Sequence, residues 1–140
     1  MELNQKKEKL GPKFTEREAW FFDEYKNLST SRKGRIGEMY VQIVAWERGI
    51  ECLMNDDCKG PVDLILYDPN RLPNTVLVDV KSTSKKTHGD RYGQGQKARP
   101  RLDGIYTVSY HPLTRKVRWL EGLEPSEDWK NFWPENETIN

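Results

Sequence analysis

Two β-type runs, residues 62–67 and 75–81, stand on either side of Asp68-Pro69-Asn70-Arg71-Leu72-Pro73-Asn74, and no other stretch constrains the fold as much. Turn formers packed between two apolar runs predict a hairpin. Asp63, Asp79 and Lys81 interrupt these runs, although charged side chains are poor in strands and costly to bury unless paired or bound to a metal. Side chains alternate along a strand, so Leu77, Asp79 and Lys81 share one face and Val76, Val78 and Val80 the other, with Asp79 and Lys81 about 7 Å apart. Asp63 lies near the start of the partner strand. Such a hairpin gathers two carboxylates and an ammonium at one sheet end, a constellation suited to a divalent cation and a positive charge beside a phosphodiester.

The rest of the chain supplies an α/β frame. Residues 1–13 are polar, lysine-rich and broken by Gly11-Pro12, which predicts a flexible basic arm, read as a disordered terminus ahead of an arm that grips DNA. Residues 14–140 are expected to form a single domain. Thr15-Glu16-Arg17-Glu18 has the capping-box pattern and opens a first helix to about residue 28. Ser29-Thr30-Ser31 caps a second helix that runs to Gly49. Ile36, Met39, Tyr40, Ile43 and Trp46 form one broad apolar face of that helix. Gly34, Gly37, Glu38, Val41 and Ala45 lie on the other side, small enough in the main to let the helix approach a sheet. Glu38 is the one long carboxylate there; facing a sheet, it must find a cation. Residues 50–54 read as a short strand, 104–110 and 116–120 as two more, and 125–133 as a short acidic helix whose aromatics dock on the body. The expected core is a mixed central sheet of about five strands flanked by helices.

Total charge hides a segregation of sign. The chain is formally +1 overall. Between residues 81 and 101, Lys81, Lys85, Lys86, Arg91, Lys97, Arg99 and Arg101 face only Asp90, a local charge of +6, whereas residues 121–140 carry −5. Directly after the hairpin, then, lies a glycine-rich basic loop expected to touch a polyanion backbone. No run is long and apolar enough to span a membrane, and the N-terminus lacks the apolar centre of a signal peptide, so an intracellular, cytoplasmic protein is expected. Cys52, Cys58, His88 and His111 follow no zinc-ligand spacing, and the cysteines read as free thiols.

Gly34-Arg35-Ile36-Gly37-Glu38 on a helix, Gly60-Pro61-Val62-Asp63 leading into a strand and Asp79-Val80-Lys81-Ser82 on the next together resemble the PD-(D/E)XK nuclease superfamily. The likeness covers roughly residues 30–120. It implies a restriction-endonuclease-like fold and a Mg²⁺-dependent endodeoxyribonuclease, with Mn²⁺ as a substitute. It implies that Asp63, Asp79 and the Val80 carbonyl bind the metal, that Glu38 is a further or water-mediated ligand, and that Lys81 orients the attacking water and offsets transition-state charge. Ser82 and Ser84 are then phosphate contacts, joined along the DNA by Lys85, Lys86, Arg91, Gln94, Gln96, Lys97, Arg99 and Arg101. Within the superfamily the chain is most similar to small Holliday junction resolvases, with homing or restriction endonucleases as the alternative. Either implies a homodimer or higher homo-oligomer, with Trp20, Phe22, Trp129 and Trp133 as interface material. Two competing readings remain, a non-catalytic DNA-binding module and a structural Asp79–Lys81 ion pair in an unrelated α/β protein.

Overall fold

A computed structural model describes residues 15–56, 59–82 and 104–137. The chain divides into two compact units, Met1–Lys33 and Gly34–Asn140, taken separately below. The expected basic arm lies outside the described residues.

In the first unit the capping box forms as expected. The Glu18 N–H donates to Thr15 Oγ1 at 3.1 Å and the Thr15 N–H to Glu18 Oε1 at 3.0 Å. Helix α1 (Glu16–Asp23) is shorter than expected, giving way to a 3₁₀ turn at Tyr25–Asn27. The Asn27 side chain donates to the Asp23 carbonyl at 2.8 Å, taking the acceptor that a continuing helix would use for its backbone. Buried Tyr25 stacks on Phe21 with ring centroids 5.3 Å apart.

Helix α2 (Thr30–Glu47) starts at the expected cap, where Ser29 Oγ accepts from the Arg32 N–H at 3.2 Å. At its other end Gly49 takes φ 84°, its N–H reaching the Trp46 carbonyl and the Ile50 N–H the Ala45 carbonyl. This is a Schellman stop, for which glycine is the residue that accepts the left-handed backbone without strain.

The second unit is a five-stranded mixed sheet in the order β1 (Glu51–Met54), β2 (Leu64–Tyr67), β3 (Thr75–Ser82), β4 (Ile105–Tyr110), β5 (Val117–Trp119). All neighbours are antiparallel except β3 and β4, which run parallel. The hairpin and the mixed five-stranded sheet are as the sequence predicts, and the coarse α/β class holds.

Register puts the core on one face. Leu64 pairs with Val78, Leu66 with Val76 and Cys52, Val80 with Val108, and Val108 with Trp119. Val41 and Ala45 of α2 pack into that cluster. The small-residue side of α2 is therefore the buried one, while Met39, Ile43 and Trp46 are exposed. Gly37 explains the choice: a Cβ there would stand 3.0 Å from Ser82 Oγ and 3.1 Å from the Tyr110 ring, so only glycine lets α2 lie this close.

Residues 125–133 do not form the expected helix; they run as turns, and helical structure is confined to α3 (Pro134–Glu137). Tertiary bonds outcompete local helix formation here. Leu72 N–H donates to the Asp128 carboxylate at 2.9 Å, Arg71 Nε to the Asp128 carbonyl at 3.0 Å, and Trp129 Nε1 to the Pro73 carbonyl at 2.7 Å. The Arg71 guanidinium, paired with Asp68, lies over the Trp129 and Phe132 rings. The segment thus clasps the β2–β3 turn. Its aromatics do dock on the body, but Trp129 and Trp133 are fully buried and so are core, not interface material. Trp20 is half-buried, and the Phe22 side chain lies outside the description.

Candidate active site

The site lies where β2 and β3 part. Continuing the register of Leu64 with Val78 would pair Val62 with Val80, and Val80 N–H would go to Val62 O. The chain leaves the sheet instead. Val62 O accepts from Asn55 Nδ2 at 2.9 Å, and the Val80 N–H donates to Asp63 Oδ2 at 2.8 Å. Asn55 also donates to the Lys59 carbonyl at 3.1 Å, while its N–H reaches the Asp63 carbonyl, so this one residue pins the loop that delivers Asp63.

The Asp63 carboxylate therefore fills the gap left by the missing rung. On a strand, N–H and C=O of one residue point the same way, so the Val80 carbonyl opens onto the same gap. Asp79 lies on the opposite face from Val78 and Val80, close enough to Asp63 for the Asp63 charge to raise its pKa. Lys81 Nζ stands 3.6 Å from Asp79 Oδ2, with the lysine side chain 45% and the aspartate 24% exposed. The hairpin thus brings Asp63, Asp79 and Lys81 together as expected.

Electrostatics make this an unsettled cluster. The Asp79 carboxyl is pushed up to about 6, chiefly by burial, with Lys81 pulling it down and the Asp63 charge pushing it up. Two neighbouring acids with one partly exposed lysine, paired to Asp79, carry more negative charge than the site neutralises. Glu38 adds to it: burial raises its pKa, with the Asp63 charge next, against the opposing pull of Arg35. The cation Glu38 finds is Arg35, whose Nη1 sits 3.2 Å from Glu38 Oε1. Among the described residues, no three or more His, Cys, Asp or Glu side chains gather to hold a metal ion. The structure joins Glu38 to the acid pair electrostatically and does not place it with them as a ligand. Comparison with protein-family models, curated proteins and solved structures finds no match.

Of the expected DNA contacts, Ser82 ends β3 with its hydroxyl under Gly37, on the α2 side of the sheet, where alternation sets it opposite Lys81. Ser84, Lys85, Lys86, Arg91, Gln94, Gln96, Lys97, Arg99 and Arg101 lie outside the described residues. Three residues escaped the sequence reading. Arg35 was legible, being three residues before Glu38 on a helix. Asn55 and Arg118 were not. Arg118 joins Lys81 and Ser109 in one row across β3, β4 and β5, a neighbourhood made only by strand register. Cys52 is a buried free thiol, and burial pushes its pKa up to about 12. No helix among the described residues is long and apolar enough to cross a membrane.

Proposed function

We propose that this chain is a Mg²⁺-dependent endodeoxyribonuclease, with Mn²⁺ able to substitute, that hydrolyses DNA phosphodiester bonds on a restriction-endonuclease-like core. The observation that carries the reading is the meeting of Asp63, Asp79 and Lys81 where the β2–β3 ladder opens. A structural Asp79–Lys81 pair would hold Asp79 low; instead burial and Asp63 outweigh the lysine. The donors are hard oxygens, and two carboxylates, one carbonyl and water suit Mg²⁺, which keeps much of its hydration and does not need an all-protein cage.

Asp63, Asp79 and the Val80 carbonyl would hold the ion. When bound, it polarises a phosphoryl oxygen and lowers the pKa of its water. Val80 N–H fixes the Asp63 carboxylate. Lys81 places an ammonium where charge grows during attack on phosphorus. Glu38, paired with Arg35, would stand beside the ion as a further or water-mediated ligand. The basic run from Lys85 to Arg101 would follow the DNA backbone. Cutting would be structure-selective, as in junction resolvases, by paired copies in an intracellular setting.

The test is incubation of supercoiled plasmid and of a four-way junction with the protein, in Mg²⁺ and in EDTA, beside Asp79→Ala and Lys81→Ala. Cutting is expected in Mg²⁺ alone, with both variants slowed at least about 100-fold. Binding without cutting in any divalent metal would make the chain a DNA-binding module. Preference for the junction over linear duplex selects resolvase; a unique cut in long duplex selects a sequence-specific endonuclease.

A further inference from the structure

We infer that Arg115 is an anion anchor that takes a backbone phosphate of DNA beside the one cut. This deepens the nuclease reading and rests on it for the polyanion being DNA. Arg115 closes the turn between β4 and β5, half-buried, with φ 64°, a left-handed backbone that arginine adopts only where its surroundings hold it. The turn does hold it. The Arg115 N–H donates to the His111 carbonyl at 2.7 Å, the His111 N–H to the Lys116 carbonyl at 2.9 Å, and His111 Nδ1 accepts from the Leu113 and Thr114 N–H groups at 3.2 and 3.3 Å. The guanidinium is aimed as firmly. Its Cζ lies 3.7 Å from the Tyr40 ring centroid, and Nη1 donates to the hydroxyl of buried Tyr110, whose ring stacks on Tyr40 at 5.7 Å.

These partners orient the charge without neutralising it. Among the described residues no carboxylate stands within ion-pair reach of Arg115, whereas Arg35 and Arg71 each pair with an acid. A guanidinium carries five N–H donors in a fork that matches phosphate, and Tyr110 occupies one nitrogen of it. Place in the fold names the anion. Parallel pairing sets Tyr110 beside Ser82, and a Cβ at Gly37 would meet both the Ser82 hydroxyl, at 3.0 Å, and the Tyr110 ring, at 3.1 Å. The turn therefore leaves the sheet at the end where β3 delivers Lys81 and where Asp63 leads into β2. It stands one to two strand spacings, about 5–10 Å, to the side of β3, an offset that suits a neighbouring phosphate and not the one under attack. One arginine holds a free phosphate weakly; on a chain of phosphates whose neighbours are also held, the same contact counts for more.

The experiment is equilibrium binding of a short fluorescein-labelled duplex in EDTA, read by anisotropy from about 50 to 200 mM salt, for wild type, Arg115→Met, Arg115→Lys, Tyr110→Phe and Lys130→Met. Arg115→Met should weaken binding about 10-fold and lower the slope of log affinity against log salt by about 1, alike for every sequence. Arg115→Lys should restore the slope and only part of the affinity, since lysine keeps the charge without the stacked fork. Tyr110→Phe should lose about 3-fold at unchanged slope, because the charge stays and its orientation goes. Exposed Lys130, in the segment that clasps the β2–β3 turn at the other sheet end, is the control, and Lys130→Met should stay within about 2-fold of wild type. Wild-type binding in Arg115→Met, an equal loss in Lys130→Met, or inorganic phosphate bound as tightly as the duplex overturns the inference. Where Arg115→Met loses the wild-type circular-dichroism spectrum, Tyr110→Phe decides, and wild-type binding there overturns it. Binding is read without metal or cleavage, so a chain that never cuts leaves the anchor standing, and a cutting wild type with an indifferent Arg115 leaves the nuclease reading standing.

Discussion

Replacing Asp79 by Asn should stabilise the fold at neutral and alkaline pH while removing the proposed activity. In the folded state the Asp79 carboxyl titrates at about 6 against an ordinary 3.8, chiefly through burial, so holding it ionised costs stability. A shift of about two units at ~1.4 kcal/mol each gives at most about 3 kcal/mol. The Asp63 contact divides that cost between two acids, and loss of the half-exposed Lys81 pair subtracts at most about 0.5 kcal/mol. A net gain of roughly 1–2 kcal/mol is expected, worth about 3–7 °C in a 140-residue chain. Protonation favours the folded state here. The advantage of a protonated Asp79 is fully present below pH 3.8 and is lost as pH rises through about 6, so wild type and Asp79→Asn should converge in acid and separate above pH 6. Thermal melts at several pH values, without metal, would check this. Added Mg²⁺ should raise the wild-type midpoint and leave the variant unmoved. A variant less stable than wild type at pH 8, or a difference independent of pH, would refute the account of Asp79 as a strained acid.

Two further expectations concern the frame. His111 is buried with Nδ1 accepting from the Leu113 and Thr114 N–H groups at 3.2 and 3.3 Å, and burial, then Lys116, holds its pKa below the ordinary 6.5. Its contribution is therefore full above pH 6.5 and falls away in more acid solution, and His111→Asn, which keeps an acceptor without the titration, should flatten that part of the pH–stability curve. Trp129→Ala should cost about 3–5 kcal/mol by chemical denaturation, because it empties a fully buried site between Trp119 and Phe132 and unpins the Pro73 carbonyl. A cost under about 1 kcal/mol would mean that the C-terminal clasp does not support the hairpin turn.

Local patterns spoke for themselves in the sequence. The Thr15 box, the Ser29 cap and the Gly49 stop appear where residue chemistry puts them, because each depends on neighbours within one or two turns. The hairpin and the meeting of Asp63 with Asp79 were equally legible, since strand alternation and a short turn fix both. Residues 125–133 were misread for the opposite reason. Their helical spacing is real, but Asp128 and Trp129 spend their polar groups on residues 71–73, far away in sequence.

By itself, then, the sequence determined which charged side chains interrupt the apolar strands and where the caps, the hairpin and the strands fall. Tertiary structure decided what they face. Two sides of α2 were apolar enough to be buried; close approach at Gly37 chose the small one and left Met39, Ile43 and Trp46 outside. Glu38 could have met solvent or a metal ion, and helix position gave it Arg35. The parallel step from β3 to β4 set Arg118 in line with Lys81, a juxtaposition no spacing encodes, because register is settled by the packing of a whole sheet face and not by residues adjacent in the chain.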